Sequence, residues 1–218
     1  MVRAHFTSMK TALITGASQG LGRALARLLD SRGYRLVLNA RRAEPLQELA
    51  WELGAIAVPG DVSEIAEELV ARAGRVDVLV NNASELGPLP MPRLADYPWE
   101  ALLRVLKVNA VAPLHLTQLV LPQMRARGDG VIINISSDAA VNAYPGWGGY
   151  GASKAALEHL SRTLAVELEG TGVRVHVIDP GEMRTQMHQD AIDGGDISHL
   201  PLPESVAPRI VSVIEEAA

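Results

Sequence analysis

Six short runs of almost uninterrupted apolar residues constrain this chain more than any other feature: 10–15 (KTALIT), 34–39 (YRLVLN), 55–58 (AIAV), 76–80 (VDVLV), 131–136 (VIINIS) and 173–178 (VRVHVI). Each has the length of a strand and is rich in β-branched residues. An apolar run of this kind needs cover on both faces. Helical patterns lie between them at 20–32, 43–53, 63–73, 98–126 and 150–169, and Gly33 and Gly54 stand as stop signals after the first two. Strands alternating with helices at these lengths build βαβ units and a parallel sheet. The expected fold is a doubly wound α/β domain.

No repeat, low-complexity tract or linker divides the chain, so residues 9–218 read as one domain and 1–8 as a short extension before a candidate start at Met9. With 218 residues, 48% of them hydrophobic, one domain can bury a substantial core. A formal net charge of −5 with no basic run argues against nucleic acid or an anionic membrane as partner. Cysteine is absent, which excludes disulfides and thiolate metal sites, and the six histidines show no metal-ligand spacing. The apolar run near the N-terminus is too short for a signal peptide and flows into a glycine motif. No run approaches a membrane span, and the expected setting is the cytoplasm.

Two stretches carry chemistry. The first apolar run ends in Thr15-Gly-Ala-Ser-Gln-Gly-Leu-Gly22, and a helical pattern follows at once. Gly16 permits a tight turn there, while Gly20 and Gly22 let a pyrophosphate approach backbone amides and a helix N-terminus. A glycine cluster at such a place is also compatible with a bare turn. The second stretch is 132–156, IINISSDAAVNAYPGWGGYGASKAA. Tyr150 and Lys154 are four residues apart and share one helix face. A lysine ammonium there favours the phenolate, lowering a pKa that starts near ~10 and producing an acid/base for carbonyl and alcohol chemistry. Ser137, at the strand end, is placed to donate to the same substrate oxygen. Alone, such a Tyr-Lys pair is equally an ordinary helix surface.

Taken together, these motifs resemble the classical short-chain dehydrogenase/reductase family, with its Rossmann-type sheet, over roughly residues 9–190. The family's T-G-x3-G-x-G corresponds to Thr15–Gly22, its N-N-A-G to Asn81-Asn82-Ala83-Ser84, and its active-site Asn, Ser, Tyr and Lys to Asn109, Ser137, Tyr150 and Lys154. Pro180-Gly181 and Thr185 also match. The resemblance implies a catalytic set of Asn109, Ser137, Tyr150 and Lys154. It implies dinucleotide contacts from Gly16, Ser18, Gly20, Leu21, Gly22, Asp61, Val62, Asn82, Ala83, Tyr150, Lys154, Pro180, Gly181, Met183 and Thr185, and no metal. In this reading Tyr150 exchanges a proton with the substrate oxygen, Lys154 lowers its pKa and binds the nicotinamide ribose, and Ser137 orients the carbonyl. Asn109 lies four residues before Pro113, which has no N–H, so its free carbonyl would hold a water that passes protons to Lys154. A surface asparagine beside a kink is the alternative.

Two departures from the family pattern stand out. Ser84 replaces the usual glycine, and the sequence as it stands to Ala218 leads to the expectation of six strands, without the family's usual seventh. Cofactor choice is read after the second strand. Relatives that prefer NAD usually place an acid where this chain has Ala40, and Arg41 and Arg42 follow. Two guanidiniums suit a 2′-phosphate, which favours NADP over NAD, although exposed arginines are often idle. The expected substrate is a small or medium, fairly apolar carbonyl or alcohol, in a pocket lined by Leu86, Tyr144, Trp147, Met183 and Met187. The expected assembly is a homodimer through the long helices at 98–126 and 150–169. The helix after Pro203 would shield the edge of the last strand with Val206, Ile210, Val213 and Ile214. The competing readings are a catalytically idle dinucleotide-binding regulator, which need not keep all four catalytic residues, and a nucleotide-sugar epimerase or dehydratase, which would be longer and differently spaced in the glycine turn.

Overall fold

The computed structural model describes residues 9–216, and the extension expected at 1–8 lies outside them. The six apolar runs form β1 (Thr11–Thr15), β2 (Arg35–Ala40), β3 (Ile56–Pro59), β4 (Val78–Asn81), β5 (Gly130–Ile135) and β6 (Val173–Ile178). All pair in parallel, in the order β3-β2-β1-β4-β5-β6. The order reverses between β1 and β4, which opens a crevice above the carboxyl ends of those strands. The helices of the described residues are α1 (Gly20–Ser31), α2 (Ala43–Leu53), α3 (Ala66–Ala73), α4 (Trp99–Leu106), α5 (Ala112–Arg127), α6 (Gly148–Glu167), α7 (Gln186–Ala191) and α8 (Pro203–Glu216). None is long and apolar enough to cross a membrane.

Successive strand residues point to opposite faces, so the sheet feeds two cores. Ala12 and Ile14 of β1 and Val131, Ile133 and Ile135 of β5 pack on one side with α1, α2 and α8. Leu13, Leu79 and Ile132 pack on the other with Leu69 of α3 and Leu116, Val120 and Met124 of α5. This explains why the strand runs show no polar alternation. Each fully buried Leu or Ile contributes about 1.5–3 kcal/mol to folding.

Three expectations about elements are corrected. The pattern at 98–126 is not one helix: α4 and α5 are joined by a π turn, Lys107–Val111. Pro113 lacks the N–H that the carbonyl of residue 109 would meet in a regular helix, and the chain widens there. The third helix starts at Ala66, not at 63, because the Ser63 amide and hydroxyl both bond to Asp61 Oδ1, at 2.9 and 2.7 Å, and hold a turn. The last helix does not shield the β6 edge. Its buried Ala207, Ile210, Val211 and Ile214 join Leu21, Ala24 and Leu25 of α1 on the sheet face, with Val206 and Val213 at the margin. No strand pairs with the outer edge of β6 among the described residues.

Candidate active site

The turn from β1 into α1 is built around a close approach between two loops. Gly16 has a φ of +66°, and a Cβ on it would stand 2.8 Å from Asn82 Nδ2; one on Gly22 would stand 2.3 Å from the Gly16 carbonyl oxygen. Only glycine fits both places. Asn82 fastens the turn, donating from Nδ2 to the carbonyls of Thr15 at 3.0 Å and Gly16 at 3.2 Å. The buried Thr15 hydroxyl oxygen accepts the amides of Asn82 and Ala83, each at 3.0 Å, which ties the end of β4 to the end of β1. Thr15 thus organises the turn, a role that spacing alone did not reveal.

At the end of β5 the chain turns outward through Ser137, and α6 carries Tyr150 and Lys154 back under it. Both are buried, at 8% and 2% exposure. Lys154 Nζ donates to the Ile135 carbonyl at 2.8 Å and lies 5.5 Å from the Tyr150 ring centroid. Burial pushes the Tyr150 phenol up to about 12, against the opposing influence of the Ser84 and Ser137 hydroxyls. Burial likewise pushes the Lys154 ammonium down to about 8. The expected lowering of the tyrosine by the lysine is therefore corrected: both groups have lost water, and desolvation disfavours the charged form of each. Ser137 accepts the Ala139 amide at 3.2 Å and donates to Asp138 Oδ1 at 3.2 Å.

These residues share one cleft of about 460 Å³ over the β1/β4 crevice. Gly16, Ser18, Gly20, Leu21, Arg41, Arg42, Asp61, Val62, Asn82, Ala83, Ser137, Tyr150, Lys154, Pro180, Gly181, Met183 and Thr185 all line it. Two of the expected catalytic and cofactor-binding residues lie off its wall. Gly22 sits beneath the turn, and Asn109 sits behind it. The Asn109 side chain accepts the Glu85 amide at 2.8 Å and donates to the Glu85 carbonyl and to Ser153 Oγ, both at 2.9 Å. It clamps the loop after β4 to α6. Leu86, Trp147 and Met187 line the cleft as expected, but Tyr144 packs edge-on against Trp147 and donates to Asp138 at 2.6 Å.

One rim of the cleft carries alternating charges that the sequence did not disclose. Arg41 meets Glu85 at 3.4 Å, Glu85 meets Arg104 at 3.2 Å, and Arg104 bonds to Asp61. Burial would raise the Asp61 carboxyl, but bonds from Ser63 and Arg104 outweigh it and hold the group at about 2. Glu85 and Arg104 lie far apart in sequence, and only the fold brings them together.

The cleft suits a dinucleotide. Gln19, at the N-terminus of α1, makes no side-chain cap, so the first amides of that helix are left for an anion. A Cβ on Gly20 would close on Thr185 Cγ2 at 3.4 Å, across the space a pyrophosphate would enter. Comparison with known proteins agrees. The family model for short chain dehydrogenases matches residues 10–194. A 3-oxoacyl-(acyl-carrier-protein) reductase of Thermotoga maritima is 33% identical over 93% of this chain and 89% of its own length. The 7alpha-hydroxysteroid dehydrogenase of Escherichia coli K12 is 32% identical over 96% and 88%. A closed serine dehydrogenase complexed with NADP+ superposes with a TM-score of 0.85 at 32% identity, covering 94% of this chain and 88% of that one. The chain belongs to the short-chain dehydrogenase/reductase family of NAD(P)-dependent oxidoreductases.

Proposed function

We propose that this protein interconverts a carbonyl and a secondary alcohol with NADP(H), using Tyr150 as the acid/base. The observation that carries the reading is the meeting of Ser137, Tyr150 and Lys154 in one cleft with the glycine turn. Gly16, Ser18, Gly20, Leu21, Asp61, Val62, Asn82, Ala83, Pro180, Gly181, Met183 and Thr185 would hold the dinucleotide, which when bound supplies or accepts the hydride. Tyr150 is a neutral phenol at neutral pH, since burial holds it near 12, so it stands ready to donate its proton to a carbonyl oxygen. In the reverse direction it accepts the proton of the alcohol. Ser137 orients the substrate oxygen. Lys154 spends one of its three donors on the Ile135 carbonyl and keeps the others for ribose hydroxyls and the phenol oxygen. The carbonyl of Asn109, in the widened π turn, would hold the water that relays protons to Lys154.

Arg41 and Arg42 support NADP, as does the NADP+ complex of a structural relative. Leu86, Trp147, Met183 and Met187 make the substrate end apolar, in keeping with ketones, aldehydes and secondary alcohols of modest size. A panel of such compounds followed by NADPH absorbance tests the activity. Fluorescence titration tests the cofactor. Placing Asp at Ala40 and neutralising Arg41 and Arg42 should cost roughly 2–5 kcal/mol of NADPH binding and favour NADH. Equal wild-type affinities for the two would defeat the assignment.

A further inference from the structure

Ser84 sits between two peptide groups that the fold holds in place. On one side, the Ala83 amide is fixed to Thr15 Oγ1 at 3.0 Å; on the other, the Glu85 amide and carbonyl are both fixed by Asn109, at 2.8 and 2.9 Å. The serine between them lines the cleft together with Ser137 and Tyr150. Its hydroxyl oxygen is buried and makes no hydrogen bond of standard geometry among the described residues. A buried hydroxyl that makes no hydrogen bond of standard geometry is costly, and the same turn would fold with the glycine that the family usually carries there. The neighbour that it can serve is the Tyr150 phenol, whose ionised form it favours, as does Ser137.

The other charges around Tyr150 leave room for such a donor. Lys154 approaches from the same helix. Asp138, after β5, and Asp179, after β6, both disfavour the phenolate. Glu182, His188 and Asp190 line the cleft beyond them. With two carboxylates near and the ring desolvated, the phenolate needs hydroxyl donors.

We propose that Ser84 is a positioning residue, a second hydroxyl donor beside Ser137 that holds the Tyr150 oxygen whenever its proton has been given up. This rests on the reading of Tyr150 as the acid/base. No bond is made or broken at Ser84: its O–H points at the phenolate and its proton stays on the serine.

The test is the titration of Tyr150 itself. Fluorotyrosine incorporated into the full-length protein lowers the phenol pKa into a range where the fold survives, and the chain has only 4 tyrosines to resolve by 19F NMR. Tyr150→Phe assigns the signal. Loss of one hydrogen bond to a charged oxygen should raise the midpoint in Ser84→Ala by about one to two pH units. Ser84→Gly should give the same shift, and Ser84→Thr, which keeps the hydroxyl, should titrate near the wild type. An unchanged midpoint in Ser84→Ala and Ser84→Gly, or a shift in Ser84→Thr as large as theirs, overturns the proposal. The titration needs no turnover, so it is decided separately from the function: near-normal rates in Tyr150→Phe would refute the acid/base assignment and leave the hydrogen bond to be judged by its own midpoint.

Discussion

At the residue scale, burial rather than pairing sets the two ionisable groups of the site. Tyr150 near 12 keeps its proton throughout the neutral range, whereas Lys154 near 8 loses its charge as pH rises through that value. The lysine charge is thus present below about pH 8 and lost above it. If that charge steadies the phenol oxygen, carbonyl reduction should be flat between pH 6 and 7 and fall about tenfold for each unit above the lysine midpoint. A kcat profile at saturating cofactor checks this, and a rate that stays level through pH 10 would contradict it. The positions of Ser137, Tyr150 and Lys154 were legible in the sequence, because spacing along a strand end and a helix places them. Their pKa directions were not legible, because desolvation depends on what the rest of the fold packs over them. The same holds for the Arg41–Glu85–Arg104–Asp61 rim, where four residues from separate segments meet only in three dimensions.

At the element scale, the strands were readable to within two residues because a two-sided apolar run has few alternatives in this context. Helix boundaries slipped where a side chain or a proline offered the backbone other partners: Asp61 with Ser63 before α3, and Pro113 after the π turn. The final helix was recognised, but not its seat. An apolar stripe tells that a helix will be covered, not by what, and α1 supplied the cover. Ile210 is fully buried in that contact. Ile210→Ala should therefore cost about 2–5 kcal/mol of unfolding free energy, measured by urea denaturation. A loss below about 0.5 kcal/mol, the size of an ordinary surface change, would mean that α8 does not pack on α1 in solution.

At the scale of the whole molecule, a group of large apolar side chains stays exposed in the single chain. Trp99 and Leu103 of α4, Val111 of the π turn and Val166 of α6 are 66%, 57%, 54% and 66% exposed. They lie on α4, the π turn and α6, within the segments 98–126 and 150–169, and we propose that these segments form the interface of a homodimer. Sedimentation velocity at micromolar concentration should give a dimer, and charged substitutions at Trp99 and Leu103 should yield monomers. A tetramer that persists on dilution would require a further surface, for which the edge of β6, unpaired among the described residues, is the open candidate. The central claim, however, concerns chemistry, and one substitution addresses it. Tyr150→Phe keeps the ring and removes the proton. On any carbonyl substrate that the wild type reduces with NADPH, the variant should lose at least a hundredfold in kcat, the scale of general acid catalysis, while binding NADPH with nearly unchanged affinity. A variant that retains near-normal turnover would show that Tyr150 is not the acid.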